Sequence, residues 1–418
     1  MDQELEEILR KNNVYLRKYG RLIERDDCKD KVIDYIATHD TLLDDCLMFS
    51  GYYITKIAMY LLDETPELLA GIADHLEKLY QFNLNVNELG KLYDGEAFPC
   101  DVILIRSVAM GNAAICAERI SLNFECIETA IAWLDRASKA SLESAEISKA
   151  VDKRHSVLAY KCAATHINNM ITLVKNLPRD HPLRGKLDNK TDGWIEDQIN
   201  ANLTATKLRE GVNAMHGQER KEIIEMIEKC YLVVSVCLER LYKCDKKNPN
   251  LHDVNMNRLE QMYCINMEKS QFSLEIGHYS AAFDDLRMTA IAARRHYLNS
   301  GRHLRNRDGS WAERSYRAFE QAGELVDTYS FFRQLNVIGE VFEEKGDMAY
   351  FLSFHQSQKK QRWDKLALKS YKIALGYYEQ CPEIPSERID TVSTKIYNRE
   401  RSKKKKDHNS SRGSRRGR

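Results

Sequence analysis

Between Pro249 and Pro382 the chain runs 132 residues without a proline. A proline inside a helix removes a backbone donor and clashes with the preceding turn, so a stretch this long without one can be helical throughout. Small residues then mark where one helix comes close to another. In Phe332–Pro382, Ile338, Gly339, Phe342 and Gly346 form one half of a helical hairpin. Ala367, Tyr371 and Ala374 form the other, as Ala-x3-aromatic-x2-Ala, and Pro382 closes it. The small residues admit the partner helix while Phe342 and Tyr371 fill the space between. The predicted class is all-α.

The same spacing recurs twice. Ala109, Ala113 and Ala117 line one predicted helix, and Ala130, Leu134 and Ala137, with Trp133 beside them, line the next. Gly277-His278-Tyr279 reads as a turn, followed by Ala282, Leu286 and Thr289 on a second helix. These spacings resemble tetratricopeptide hairpins. Their first alanines, Ala130, Ala282 and Ala367, are separated by 152 and 85 residues. Neither is a whole multiple of the family's period of about 34. The expected fold is an irregular tetratricopeptide-like α-solenoid of antiparallel helical hairpins.

Four regions are expected: an N-terminal helical region over 1–177, a linker over 178–193, a C-terminal helical region over 194–400 and a disordered basic tail over 401–418. Leu5, Ile8 and Leu9 begin a first amphipathic helix, and Thr65-Pro66 reads as a helix start with Thr65 as cap. Asn83–Pro99, with Gly90 and Gly95, reads as a loop holding one short helix. Val157–Val174 and Ile223–Tyr242 read as apolar-faced helices, with a break at Gly211–Gly217 between them. Residues 178–193 hold two prolines and two glycines among turn formers, which is the ground for the linker.

Charge is divided along the chain. Residues 401–418 hold nine Lys or Arg against Asp407, a net +8, and the other 400 residues net −7. The eleven cysteines include no CxxC and no spacing that suits zinc, so reduced, mostly buried thiols are expected. His155 and His166 lack an acidic cluster nearby in sequence and read as surface or satisfied interior residues. The longest apolar run, Cys230–Leu238, is too short to span a bilayer, and the acidic start Met1-Asp2-Gln3-Glu4 has no signal-peptide core behind it. No phosphate loop, dinucleotide turn, nucleophile elbow or metal-ligand helix motif is present. Neither catalysis nor a cofactor nor a metal nor a membrane is expected.

Two basic groups are the candidate contact residues. Arg294, Arg295, Arg302, Arg305 and Arg307 cluster after the Ala282 helix, either as a solvated helix end or as a dock for an acidic partner. Lys403, Lys404, Lys405, Lys406, Arg412, Arg415, Arg416 and Arg418 could contact phosphates or serve as an import address, or could simply solubilise the chain end.

Three short segments carry a family resemblance. They are Ser270–Ile276 before the turn at Gly277, Trp311–Leu325 with Ser315-Tyr316-x2-Phe319, and Leu366–Glu383, reading LALKSYKIALGYYEQCPE. Together they resemble the C-terminal region of the KIF-binding protein family, α-helical adaptors of kinesin motor domains. The resemblance implies a protein partner, a kinesin motor domain, and a cytoplasmic regulator of microtubule-based transport. It assigns no contact residue, and the basic tail has no counterpart in it. The alternative is an RNA- or nucleus-associated helical protein that uses its tail, through RNA or an importin.

Overall fold

The computed structural model describes residues 66–91, 100–122, 126–245, 248–301, 303–329 and 334–413, some of them by backbone alone. The helix expected around Leu5–Leu9, the cap Thr65 and the end of the Asn83–Pro99 segment lie outside these residues. Among them the chain forms twelve α-helices and no strand. The fold is an all-α solenoid of successive antiparallel helices. Contacts divide it into two compact units, residues 1–237 and 238–418.

The first unit holds α1 (Pro66–Lys91), α2 (Cys100–Ser121), α3 (Ile127–Ser148), α4 (Lys153–Asn176), α5 (Pro182–Lys207) and most of α6 (Gly217–Asp245). From α1 to α5, each helix packs on the next. Ala109, Ala113 and Ala117 on α2 and Ala137 on α3 are fully buried, which lets these backbones approach. Tyr80 of α1 meets Trp133 of α3 edge-on at 5.6 Å. Asp152 caps α4 by accepting from the backbone N–H of His155 at 2.9 Å. His155 Nε2 lies 3.0 Å from Ser144 Oγ, and His166 is buried with Nε2 3.8 Å from Glu118, so both histidines serve the interior. A 3₁₀ segment, Leu208–Ala214, occupies the expected break, and Gly217 starts α6 at φ +63°.

Two features depart from the sequence reading. α1 continues to Lys91 through what reads as loop, because Asn83 and Asn87 are satisfied inside it. Asn83 Nδ2 donates to Leu79 O at 2.7 Å, and Asn87 Nδ2 donates to Glu143 of α3 at 2.7 Å. The expected linker is mostly helix, since α5 begins at Pro182. Its turn formers are a helix start: the His181 side chain accepts from Leu183 N at 3.2 Å and Pro182 takes the first position. Gly185 and Gly193 have open space around them, while Leu187 and Thr191 are buried. The division between units falls within α6 instead.

The second unit holds the end of α6, then α7 (His252–Glu275), α8 (Tyr279–Asn299), α9 (Gly309–Thr328), α10 (Leu335–His355), α11 (Lys360–Glu379) and α12 (Ser386–Gly413). From α7 to α12 each again packs on the next. Gly277, at φ +79°, makes the tight turn between α7 and α8, which a side chain would strain. Ala282, Ala367 and Ala374 are fully buried, as are the rings of Tyr297 and Tyr378. The tail departs from expectation, since the backbone of residues 401–413 continues α12 as helix. Lysine and arginine are good helix formers, and the turn before them is already nucleated. Residues 414–418 lie outside the described ones.

Candidate interaction surfaces

Four acids on α10, Glu340, Glu343, Glu344 and Asp347, are spaced three and four apart and share one helix face. Cations from the flanking helices meet them. Arg287 and Arg294 of α8 reach Glu340 at 2.9 Å and Glu344 at 2.7 Å. Arg388 of α12 reaches Glu340 at 2.9 Å and Glu343 at 3.3 Å, and Lys395 reaches Glu343 and Asp347, each at 2.9 Å. Two hydroxyls of α11 complete the set: Tyr371 donates to Asp347 at 2.7 Å and Tyr378 to Glu343 at 2.8 Å.

The acids feel different fields. Burial pushes Glu343 upward, but Lys395, Tyr378 and Arg388 outweigh it and hold this carboxyl below the usual range. Glu344 goes the other way, since burial outweighs Arg294 and raises it. Burial also works against the charge on Lys395, yet Asp347 and Glu343 raise its pKa overall. Every carboxylate in the group has a cation within ion-pair distance. The network is a clasp that ties α8, α10, α11 and α12 together. Among the described residues no group of three or more His, Cys, Asp or Glu is arranged to hold a metal ion.

A different surface lies in the first unit. Val108 and Ile115 on α2, and Leu122 just past its end, are 36, 41 and 67% exposed and seven residues apart, so they follow one side of the helix. α4 adjoins α2 where His166 meets Glu118, and α6 adjoins α4 where Arg154 pairs with Glu222. Those neighbours add exposed Leu158 on α4 and Leu232 and Val236 on α6.

Of the predicted basic cluster, the three arginines whose side chains are described each engage a partner of their own. Arg294 turns to Glu344, and Arg295 turns to Glu239 of α6 at 3.4 Å. Arg307 donates to Gly301 O at 3.0 Å and lies 5.5 Å from the centre of the Tyr297 ring. Arg302 and the side chain of Arg305 lie outside the described residues. In the tail, Lys403, Lys404, Lys405, Lys406 and Arg412 sit on the α12 backbone, with side chains outside the described set. Arg415, Arg416 and Arg418 lie outside it altogether.

Sequence reading missed a basic row on α11. Arg362, Lys365, Lys369 and Lys372 are exposed and recur at three- and four-residue steps, and exposed Lys359 immediately precedes the helix. Two open clefts of about 850 and 420 Å³ share Lys365 and run along this row. The signal was present in the spacing. It is overlaid on the stronger pattern of Ala367, Tyr371 and Ala374, which mark the buried face of the same helix.

No protein-family model and no curated protein matches the sequence. Among solved structures there are distant likenesses. A circular tandem repeat protein is 12% identical over 93% of this chain and 90% of its own, with a TM-score of 0.33. A hypoxic regulator of sterol synthesis, described as a nuclear import adaptor, is 10% identical over 94% of this chain and 98% of its own, at 0.36. A signal-transduction ATPase with a tetratricopeptide repeat sensor, from Pyrococcus horikoshii, is 11% identical over 92% of this chain and 55% of its own, at 0.21. Scores of this size carry no argument about function. Among the described residues no helix is long and apolar enough to cross a membrane.

Proposed function

We propose that this chain is a non-catalytic helical adaptor that holds a protein partner against the exposed sides of α2, α4 and α6. The observation that carries this reading is the seven-residue row Val108, Ile115 and Leu122, with Leu158, Leu232 and Val236 on the neighbouring helices. Apolar side chains at that interval suit an amphipathic helix of a partner, whose own anchors recur at three, four and seven residues. The partner implied by the resemblance over roughly 270–400 is a kinesin motor domain. On that reading the adaptor works in the cytoplasm on microtubule-based transport. The basic tail then offers an importin or RNA contact that brings a fraction of the protein to the nucleus.

The test is co-elution of the purified full-length protein with a kinesin motor domain on a sizing column. Ile115→Glu with Leu122→Glu places charge on exposed positions and should abolish the complex while leaving the melting temperature near that of the parent. Co-elution unaffected by the pair would remove α2 from the interface. A motor domain that never co-elutes would remove the kinesin assignment.

A further inference from the structure

Positive charge collects at one end of the second unit, from two helices that run antiparallel. Arg388 lies 5.0 Å from the Tyr378 ring centre, Lys395 lies 5.4 Å from that of Tyr371, and Arg399 pairs with Asp364 at 3.7 Å. Going forward on α12 therefore means going backward on α11. Continued along the helix, this register brings backbone positions 403–406, four lysines in a row, level with Lys359–Arg362 at the start of α11.

The two clefts along α11 are lined by Lys359, Lys360, Arg362, Lys365, Lys369 and Lys372, and no acidic side chain lines either one. The nearest acids are engaged, Asp364 by Arg399 and Glu400 by Lys372 at 2.7 Å. Lys365 and Lys369 have no ion-pair partner among the described residues, so the row presents charge outward.

We propose that the basic row of α11, with backbone positions 403–406 of α12 level with its start, binds the phosphate backbone of single-stranded nucleic acid. The inference deepens the tail's RNA contact by adding the row of α11, and it is independent of the surface on α2, α4 and α6. Three observations favour phosphates over an acidic peptide. The row is mostly lysine, a compact point charge, whereas paired recognition of carboxylates favours the arginine fork. Its cations recur along the helix, with Lys365 and Lys369 about 6 Å apart along the axis, and so match a ligand that is charged at every unit. At the same end Phe354 is 42% exposed with Lys360 Nζ 5.7 Å from its ring centre. Such an aromatic–cation pair is a platform on which a base can stack.

The experiment titrates full-length protein into fluorescein-labelled oligouridine and follows anisotropy over a series of KCl concentrations. Lys365→Glu with Lys369→Glu should make the slope of log affinity against log salt shallower by about 1.4, with binding at roughly 0.1 M salt about 20-fold weaker. Replacing Lys403–Lys406 by Gln should weaken binding in the same manner, and Phe354→Ala should lower affinity without changing the slope. Phe354, Lys365 and Lys369 are exposed, and matching circular dichroism melts confirm the fold of every variant. Oligouridine binding that is unaffected by the α11 pair, or absent altogether, overturns the proposal. So does displacement of the RNA by an equal charge of polyglutamate or of anionic phosphatidylserine vesicles, which would reassign the face to an acidic protein or a lipid surface.

Discussion

Gly346 of α10 lies against the ring of Tyr371 of α11, so close that a Cβ on Gly346 would stand 2.6 Å from the ring's Cε1. Tyr371 cannot swing aside freely, because it is buried and its hydroxyl is held by Asp347 at 2.7 Å. Gly339 stands in the same relation to Tyr378 one helical stretch earlier. The two glycines are what allow α10 and α11 to close on their tyrosines.

Gly346→Ala should therefore destabilise the protein even though alanine is the better helix former. Overpacking costs about 1–3 kcal/mol, against a gain of up to about 1 kcal/mol from propensity. A thermal melt that shows the variant at or above the parent would place the ring elsewhere.

Ala374→Leu puts three carbons into a position with no exposed surface at the same helix pair. The expected loss is again about 1–3 kcal/mol. Chemical denaturation of the variant beside the parent measures it, and coincident transitions would count against the placement.

The ion clasp gives a pH-dependent contrast. Glu343 has its pKa lowered in the fold, so it contributes stability above its unfolded value that is lost as pH falls through the folded one. Glu344 has its pKa raised by burial, so its ionised form burdens the fold at neutral pH and the burden lifts on acidification. At pH 7, Glu343→Gln should thus be less stable than Glu344→Gln, and the difference should shrink at acid pH. Denaturation curves of the two variants with equal midpoints at pH 7 would refute the assignment.

Thiol reactivity should divide sharply by position. Cys126 is exposed, and hydrogen bonds from Thr129 lower its pKa, whereas burial pushes the Cys116 thiol up and Cys230 up to about 12. The thiolate is the reactive form, so iodoacetamide at neutral pH should modify Cys126 well before Cys116 or Cys230. Peptide mapping over a time course reads the order directly.

The extension of α12 should be its weakest part. Residues 401–413 contain no apolar side chain, so nothing there gains from burial to offset the entropy of ordering. Hydrogen exchange should be fast across them and slow around Val392, which is fully buried. Equal protection on both sides of Arg401 would mean that the lysine run is held by something.

The hairpins were legible because a buried alanine or glycine leaves its mark at a fixed interval, as Ala137, Ala367 and Ala374 do. The α5 start was not, since His181, Pro182 and Gly185 are as common in loops as at helix beginnings, and only the burial of Leu187 and Thr191 decides between them. Arg294, Arg295 and Arg307 cluster in sequence but are drawn apart by Glu344, Glu239 and Gly301, partners that lie between 6 and 56 residues away. The cations of α11 escaped notice for the opposite reason. Of these, Lys365 and Lys369 have no ion-pair partner among the described residues, so no contact in the core points to the row.

Within each unit, helices lean chiefly on the one before and the one after. A chain built that way is modular in its mechanics. Duplicating or deleting one hairpin changes its length and what it can reach, while the surviving joints keep the neighbours they already had. The uneven 152- and 85-residue intervals between its alanine signatures are thus tolerated, since each joint answers to its own two helices and not to a fixed period.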